Sequence, residues 1–216
     1  MRFSLRMTVH TIYPLFSTPV YYSKIDFLSI NHIEYITNLK YKRTPDSDGN
    51  MSIDKYVLNS PELKEIKSQV TNHINTYVYD VIKTTKDIKF KLLNSWAMQH
   101  SSKDYSPMHN HGNSLISGIL YIKTSKNCGN IKFHSRIKDI FSETIRLQYE
   151  DYNLYNSPAW YFEPYDGLIL LFPSHLDHEV LPNLSNDIRY CVAFNVFVTG
   201  DLAIPGDFST NVLSLK

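Results

Sequence analysis

Short β-type runs fill the second half of the chain, and this pattern limits the folds that it can adopt. From about Lys89 onward, β-branched and aromatic residues gather in runs that turn residues such as Asp166-Gly167 separate. The seven runs are residues 91–99, 115–123, 130–134, 159–162, 168–172, 179–181 and 188–198. Seven or eight short strands of this kind favour a mainly β protein, either a sandwich or a jelly roll.

The length of the chain fits a single domain. Its 216 residues can bury a substantial core, and its 16 tyrosines and 11 phenylalanines favour a β-rich body. We expect one domain over residues 1–216. Residues 1–88 would supply an extended segment and helices, and residues 89–216 the β core.

Two helices are predicted ahead of the β runs. Ser29 can cap a short helix, and Ser60-Pro61 can start a long one because serine caps helices and proline is tolerated at the first helical position. The long helix carries an apolar stripe that should pack on a sheet, formed by Leu63, Ile66, Val70, Ile74, Tyr77 and Val81. The polar stretch between these helices, residues 41–54, is predicted to be an exposed loop or a mobile lid.

Charge and cysteine content argue against several classes of protein. The net charge is +1 with no dense basic block, so nothing favours nucleic acid or an anionic membrane as a partner. No run approaches the roughly 18 apolar residues of a membrane span, and the first residues lack the apolar core of a signal peptide. Cys128 and Cys191 are too few for a disulfide framework. A soluble, cytoplasmic protein is expected, of undetermined oligomeric state.

Histidines flank the β runs in a pattern that suggests a metal site. His109 and His111 lie on an extended segment, where side chains alternate faces, so both imidazoles should point to the same side. His178 follows the run 168–172 and can close a three-ligand site that leaves coordination positions open. His175, three residues earlier, is an alternative to His178.

An arginine is predicted to share the histidine pocket. If residues 178–181 and 188–191 pair as a hairpin, His178 faces Cys191 and Arg189 lies diagonally from His178. The inward face of the last strand would carry Arg189, Cys191, Ala193 and Asn195, and its outward face Tyr190, Val192, Phe194 and Val196. A cation directed into a closed core without an anion would be very costly, so the inward face should line a polar pocket. The alternative is an ion pair between Arg189 and Asp187 or Glu179.

Ordered sequence blocks give the chain a family resemblance. It resembles the iron(II)- and 2-oxoglutarate-dependent oxygenases, specifically a subfamily from marine bacteria and phages. The blocks are Ser95-Trp96-Ala97, His109-x-His111-x-x-Ser114-x-x-Ser117-Gly118-x-x-Tyr121, Phe172-Pro173-Ser174-x-x-x-His178-x-Val180-x-Pro182-Asn183, Arg189-Tyr190-x-Val192-x-Phe194-Asn195 and the opening at residues 14–20. A phage origin would place the protein in the host cytoplasm.

The resemblance implies a fold, an activity and a set of roles. The fold is a double-stranded β-helix, a cupin-like jelly roll with the metal inside. The activity is oxidation by O2 with Fe(II) as cofactor and 2-oxoglutarate as cosubstrate, usually hydroxylation of a substrate with release of succinate and CO2. His109, His111 and His178 match the metal ligands, and Arg189 matches the residue that binds the distal carboxylate of 2-oxoglutarate. Tyr121 and Ser117 are further candidates for cosubstrate contacts.

Position 111 departs from the pattern of the wider superfamily. The usual site has two histidines and one carboxylate, whereas His111 makes a set of three imidazoles. This leaves open a different metal, or two histidines completed by water. Two other functions also stay open: a three-histidine cupin-type dioxygenase that does not use 2-oxoglutarate, and a non-enzymatic jelly-roll binding module. The sequence does not identify the substrate.

Overall fold

The structure, a computed structural model, describes residues 11–44, 49–135, 144–145, 147–202 and 213–215. These residues form twelve strands and two α-helices. The strands are β1 (Tyr21–Lys24), β2 (Tyr41–Arg43), β3 (Asn50–Ser52), β4 (Lys89–His100), β5 (Ser106–His109), β6 (Ile116–Lys123), β7 (Ile131–His134), β8 (Ala159–Phe162), β9 (Leu168–Pro173), β10 (His178–Val180), β11 (Arg189–Leu202) and β12 (Leu213–Leu215). The helices are α1 (Ile30–Thr37) and α2 (Lys64–Asn75).

Antiparallel pairing arranges the strands in two sheets. The larger sheet has the order β1-β9-β6-β11-β4-β3-β2, with β12 paired to β11, and the smaller has the order β5-β10-β7-β8. Apolar side chains of both sheets meet in one core cluster, which includes Ile119, Phe133, Phe172 and Cys191. The two sheets therefore face each other, and the prediction of a mainly β jelly roll is confirmed.

The helices cover the outer face of the larger sheet. Ser29 caps α1 as predicted, because its hydroxyl accepts a hydrogen bond from the N–H of His32 at 3.3 Å. A second core cluster joins α2 to the outward face of β11 and includes Ile66, Val70, Val192 and Phe194. The outward set predicted on the last strand therefore packs against the long helix. None of the described helices is long and apolar enough to cross a membrane.

The predicted apolar stripe of the long helix is wrong at its last member. A short 3-10 turn (Pro61–Leu63) leads into α2, and a π-helical segment (Thr76–Val81) follows it. The wider π turn shifts the buried face along the chain. Val78 is buried as a result, whereas Val81 is 52% exposed.

The hairpin predicted between residues 178–181 and 188–191 is also wrong. β10 pairs with β5 and β7 in the smaller sheet, and β11 pairs with β4 and β6 in the larger one. Both edges of each strand are occupied, so the two strands cannot pair with each other. The connection between them instead crosses from one sheet to the other.

The stretch at residues 41–54 is not simply a loop. β2 and β3 form a hairpin that extends the larger sheet beyond β4, and residues 45–48 of the predicted lid lie outside the described residues. Since β1, β2 and β3 all belong to the larger sheet, the N-terminal part of the chain contributes strands as well as helices. The proposed division at residue 88 stays a prediction.

Gly118 is expected to be essential for packing between β6 and β11. It is the register partner of Phe194, and a Cβ at this position would overlap the Phe194 ring. We expect Gly118→Ala to lower the free energy of unfolding by about 1–3 kcal/mol, the usual cost of overpacking a filled core. Chemical denaturation measures this loss. Gly112→Ala is the matched control, because nothing lies within 4 Å of its Cβ position.

Candidate metal centre and its cavity

Three imidazoles converge where the smaller sheet meets the cavity between the sheets. His109 ends β5 and is the register partner of His178, which begins β10. His111 lies two residues beyond His109, and one ring nitrogen from each of the three histidines lies within 4.8 Å of the others. The structure thus brings together the three histidines predicted as ligands. His175 is exposed and is not part of this group.

Backbone carbonyls orient two of these imidazoles. Nδ1 of His109 lies 2.7 Å from the carbonyl oxygen of Pro107, and Nδ1 of His178 lies 2.9 Å from that of Leu176. A carbonyl oxygen only accepts hydrogen bonds, so Nδ1 carries the proton in both neutral rings. Nε2 then keeps the lone pair that a metal ion requires.

Side chains from the larger sheet orient the third imidazole. Nδ1 of His111 lies 2.6 Å from Oδ1 of Asn195 in β11 and 3.0 Å from Oγ of Ser117 in β6. The ring of Trp96 lies beside it, with 5.7 Å between ring centroids. Hydrogen bonds therefore hold His111 against the larger sheet, whereas His109 and His178 belong to the smaller one.

Burial keeps the inner imidazoles in their neutral form. Desolvation lowers the pKa of His178 to about 3, and the neighbouring His109 acts in the same direction. Burial also lowers the pKa of His111. A neutral imidazole is the form that binds a metal ion, so these two side chains are ready for a cation without first losing a proton.

A cavity of about 680 Å3 opens beside the histidines. Both sheets line it, and its walls include Trp96, Met98, Ile131, Phe172 and Cys191. Ala193 and Asn195 also line it, as expected for the inward face of β11. Such a volume is in the range of small-molecule sites, which are largely apolar with a few oriented polar groups.

Arg189 lies two residues before Cys191 on β11; it is not among the residues that line the cavity, and it has unused hydrogen-bonding capacity. Its side chain is fully buried, and Nη1 donates hydrogen bonds to the carbonyl oxygens of Cys128 (2.6 Å) and Gly129 (2.8 Å). Nε and Nη2 are buried and have no hydrogen-bond partner among the described residues. A buried cation with two unpartnered donors calls for an anion.

The alternative ion pairs of Arg189 are absent from the structure. Glu179 pairs with Lys132 at 2.8 Å and with His134 at 3.0 Å. Among the described residues, Arg189 has no ion pair with Glu179 or Asp187. The interpretation of Arg189 as a structural salt-bridge partner of these two carboxylates is therefore wrong.

Two further unpartnered polar atoms lie on the strands that flank Arg189. Tyr121, opposite Cys191 in the sheet register, has a fully buried hydroxyl without a partner among the described residues. His100 is the register partner of Arg189, and its Nδ1 is likewise unpartnered. Burial lowers the pKa of His100 to about 3, helped by the charges of Arg189 and Arg43. Tyr121, Arg189 and His100 therefore leave unused polar atoms on three adjacent strands, near the positive charge of Arg189.

Ser117 differs from Tyr121 in its surroundings. Its hydroxyl is engaged with His111, Asn195 and Ser174, so its visible contacts are on the histidine side of the cavity. Asn195 was predicted only as a polar group of the pocket wall, and the alternation along β11 was the signal. Nothing in the sequence indicated that Asn195 and Ser117 both reach His111.

The segment that contains these groups matches a known protein family. Residues 94–195 match the family model described as "Putative 2OG-Fe(II) oxygenase". Over these 102 of its 216 residues the chain is similar to the 2OG-Fe(II) oxygenases, in agreement with the resemblance of its sequence blocks. The matched family comprises enzymes that use Fe(II) and 2-oxoglutarate, with O2 as the usual cosubstrate. No curated protein matches the chain by sequence.

Solved structures share the fold at low sequence identity. The epimerase SnoN from nogalamycin biosynthesis has a TM-score of 0.61 at 7% identity, with 89% of this chain and 81% of that chain covered. HygX from Streptomyces hygroscopicus, solved with nickel, 2-oxoglutarate and hygromycin B bound, has a TM-score of 0.56 at 13% identity, with coverage of 83% and 82%. A 2OG-Fe(II) oxygenase family oxidoreductase from Burkholderia pseudomallei has a TM-score of 0.52 at 13% identity, with coverage of 76% and 75%.

Proposed function

We propose that His109, His111 and His178 bind the Fe(II) ion of this oxygenase and that Arg189 binds the distal carboxylate of 2-oxoglutarate. The reaction class that we propose is hydroxylation of a substrate that is not yet identified. The observation that carries the proposal is the convergence of three imidazole nitrogens within 4.8 Å at the wall of a cavity. The family match favours this function over a cupin-type dioxygenase without 2-oxoglutarate and over a binding module.

The donor set fits an Fe(II) ion. Imidazole suits Fe(II) as a ligand, and hydrogen bonds at Nδ1 leave Nε2 of His109 and His178 free to bind. Three protein ligands also leave coordination positions for other groups. When bound, iron supplies the oxidative chemistry, in which O2 oxidises the substrate and converts 2-oxoglutarate to succinate and CO2.

The unpartnered atoms around Arg189 fit the distal carboxylate of 2-oxoglutarate. A guanidinium binds a carboxylate through two parallel N–H donors, and Nε and Nη2 of Arg189 are the two donors left without partners. The buried Tyr121 hydroxyl can donate a further hydrogen bond. We therefore assign Tyr121 to the cosubstrate site, and Ser117 to the support of His111 because its contacts lie there.

The remaining walls of the cavity orient the substrate and exclude water. No described residue that lines the cavity is an aspartate, glutamate or lysine. The described cavity lining thus offers no carboxylate or amine as a general base, and burial lowers the pKa of His100 to about 3, which makes its imidazole a weak base. Trp96, Met98 and Phe172 offer a substrate an apolar surface.

The two tryptophans of the chain provide a direct test of the metal site. Trp96 lies beside His111, whereas Trp160 does not line the cavity. We expect Co(II) to quench most of the emission of Trp160→Phe, in which Trp96 is the remaining tryptophan, because a paramagnetic ion at the histidines would lie close to that ring. Fluorescence titration under anaerobic conditions measures the quenching.

The matched control is Trp96→Phe, which retains only Trp160. Its emission should fall by a much smaller fraction over the same range of Co(II). Trp160 lies on β8, two strands from His178, so partial quenching of this variant agrees with the assignment, whereas stronger quenching of Trp160 than of Trp96 would contradict it.

The cellular compartment and the binding partners of the enzyme are also part of the proposal. Both cysteines are buried and free of disulfides, which fits a reducing, cytoplasmic compartment. We propose small molecules as partners, with neither nucleic acid nor a membrane involved. The marine bacterial and phage subfamily stays a prediction.

A further inference from the structure

We propose that Ser114, Ser174, Ser117 and Asn195 form a hydrogen-bond chain of fixed direction that keeps the proton of His111 on Nδ1. The proposal deepens the function proposed above and rests on the role of His111 as a ligand. Backbone carbonyls define the tautomers of His109 and His178. His111 instead depends on side chains, so its tautomer is decided by where their protons lie.

The chain of hydroxyls runs from His111 to the backbone. Oγ of Ser117 lies 2.9 Å from Oγ of Ser174, and Ser174 donates to Oγ of Ser114 at 2.8 Å. Ser114 reaches two carbonyl oxygens, that of Ile116 at 3.0 Å and that of Val196 at 3.2 Å. Ser117 and Ser174 are fully buried, so water does not offer them other partners.

The backbone carbonyl oxygens next to Ser114 fix the direction of the whole hydrogen-bond chain. Carbonyl oxygens only accept hydrogen bonds, so the single hydroxyl proton of Ser114 goes to a carbonyl. The Ser114 oxygen then accepts from Ser174. The Ser174 proton is thereby used, and its oxygen is left as an acceptor for Ser117.

The same reasoning decides the position of the proton on His111. Ser117 can give its proton to Ser174, to Oδ1 of Asn195 at 3.0 Å or to Nδ1 of His111. The last choice would leave the Nδ1 lone pair 2.6 Å from Oδ1 of Asn195, so that two acceptors repel each other. In the other two cases, the Ser117 oxygen and Oδ1 of Asn195 both present lone pairs to Nδ1 of His111. Nδ1 is therefore the donor, and Nε2 is left free for the metal ion.

The hydroxyl and amide groups that form this hydrogen-bond chain have a further chemical consequence. A carboxylate beside Nδ1 would accept the imidazole proton partially and raise the basicity of the ligand. Hydroxyl and amide groups do not ionise in the ordinary pH range. His111 therefore stays a neutral imidazole, and the binding set carries no formal negative charge.

The test is the tautomer of His111 in metal-free protein. Two-dimensional NMR spectra of the full chain with 15N-labelled histidine distinguish Nδ1–H from Nε2–H, at a mildly alkaline pH where the rings are neutral. We expect wild-type His111 to be Nδ1–H, with its signals assigned by their loss in His111→Gln. His109 and His178 should also be Nδ1–H and serve as internal controls.

Two single variants and their combination test the direction of the chain. In Asn195→Ala, Ser117 still donates to Ser174, and in Ser174→Ala it still donates to Asn195, so His111 should stay Nδ1–H in both. In the double variant the Ser117 proton has no acceptor left except Nδ1 of His111. The Nε2–H tautomer should then appear, and Co(II) affinity should fall by about 10- to 100-fold, as for other losses of a group that orients a ligand.

Two results would overturn the proposal. One is an Nε2–H tautomer of His111 in the wild type, and the other is an unchanged Nδ1–H tautomer in the double variant with unchanged His109 and His178 signals. Ser174→Thr combined with Asn195→Ala should restore the Nδ1–H tautomer, since it restores a hydroxyl acceptor. A wild-type protein that shows the expected tautomer but binds no metal would contradict the proposed function alone.

Discussion

Replacement of His178 by alanine is expected to abolish tight metal binding while the fold is retained. His178 would supply one of only three protein ligands, so the loss of affinity should exceed the roughly 10- to 100-fold typical of groups that merely orient a ligand. The imidazole is buried at the start of β10, and its removal leaves the strand pairing to β5 and β7 in place. Metal analysis after dialysis measures the ion, and circular dichroism measures the fold.

His175→Ala is the matched control for this experiment. His175 lies three residues before His178 and is exposed outside the histidine group. It should bind metal as the wild type does. If His175→Ala lost the metal and His178→Ala kept it, the ligand role would pass to His175 and the geometry of the proposed site would be wrong.

Replacement of Arg189 by alanine is expected to weaken the binding of 2-oxoglutarate by about 2–5 kcal/mol, the cost of removing one partner from a desolvated charge pair. The substitution would remove the two unpartnered donors of Arg189, Nε and Nη2, together with its positive charge. Metal affinity should change much less, because the three histidines remain. Anaerobic titration of the Fe(II)-loaded protein with 2-oxoglutarate, followed by visible absorption, measures the difference.

Two further variants separate the shape of Arg189 from its charge. Arg189→Lys should restore only part of the affinity, because an ammonium group cannot bind a carboxylate through two parallel donors. Lys132→Met removes a charge whose partner is Glu179 on the smaller sheet, and it should leave 2-oxoglutarate binding unchanged. Wild-type affinity in Arg189→Ala would show that another group holds the cosubstrate.

The strands that could be predicted are those whose side chains alternate or are apolar throughout. β8 was predicted with its exact bounds, and β6, β7 and β9 to within one residue at either end. β5 was missed because it is a four-residue edge strand that contains Pro107 and three exposed side chains. Periodicity carries little signal in such a segment, and only its pairing with β10 makes it a strand.

The candidate site was predictable where it depends on spacing along one extended segment or strand. His109 and His111 follow from their separation by one residue, and the inward position of Asn195 follows from the alternation along β11. The contact between Asn195 and His111 depends on the packing of different elements, which spacing does not encode. The predicted hairpin, which put Arg189 diagonally from His178, is wrong, since the two residues lie on strands of different sheets.

The division of the histidines between the two sheets affects the free energy of local unfolding. His109 and His178 belong to the smaller sheet, whereas His111 is held by Asn195 and Ser117 of the larger one. Any local unfolding that separates the sheets would also separate the three ligands. The free energy of ion binding would therefore be added to the cost of each such opening. The bound ion would stabilise β5 most against local unfolding, because this short edge strand is largely exposed and buries little surface of its own.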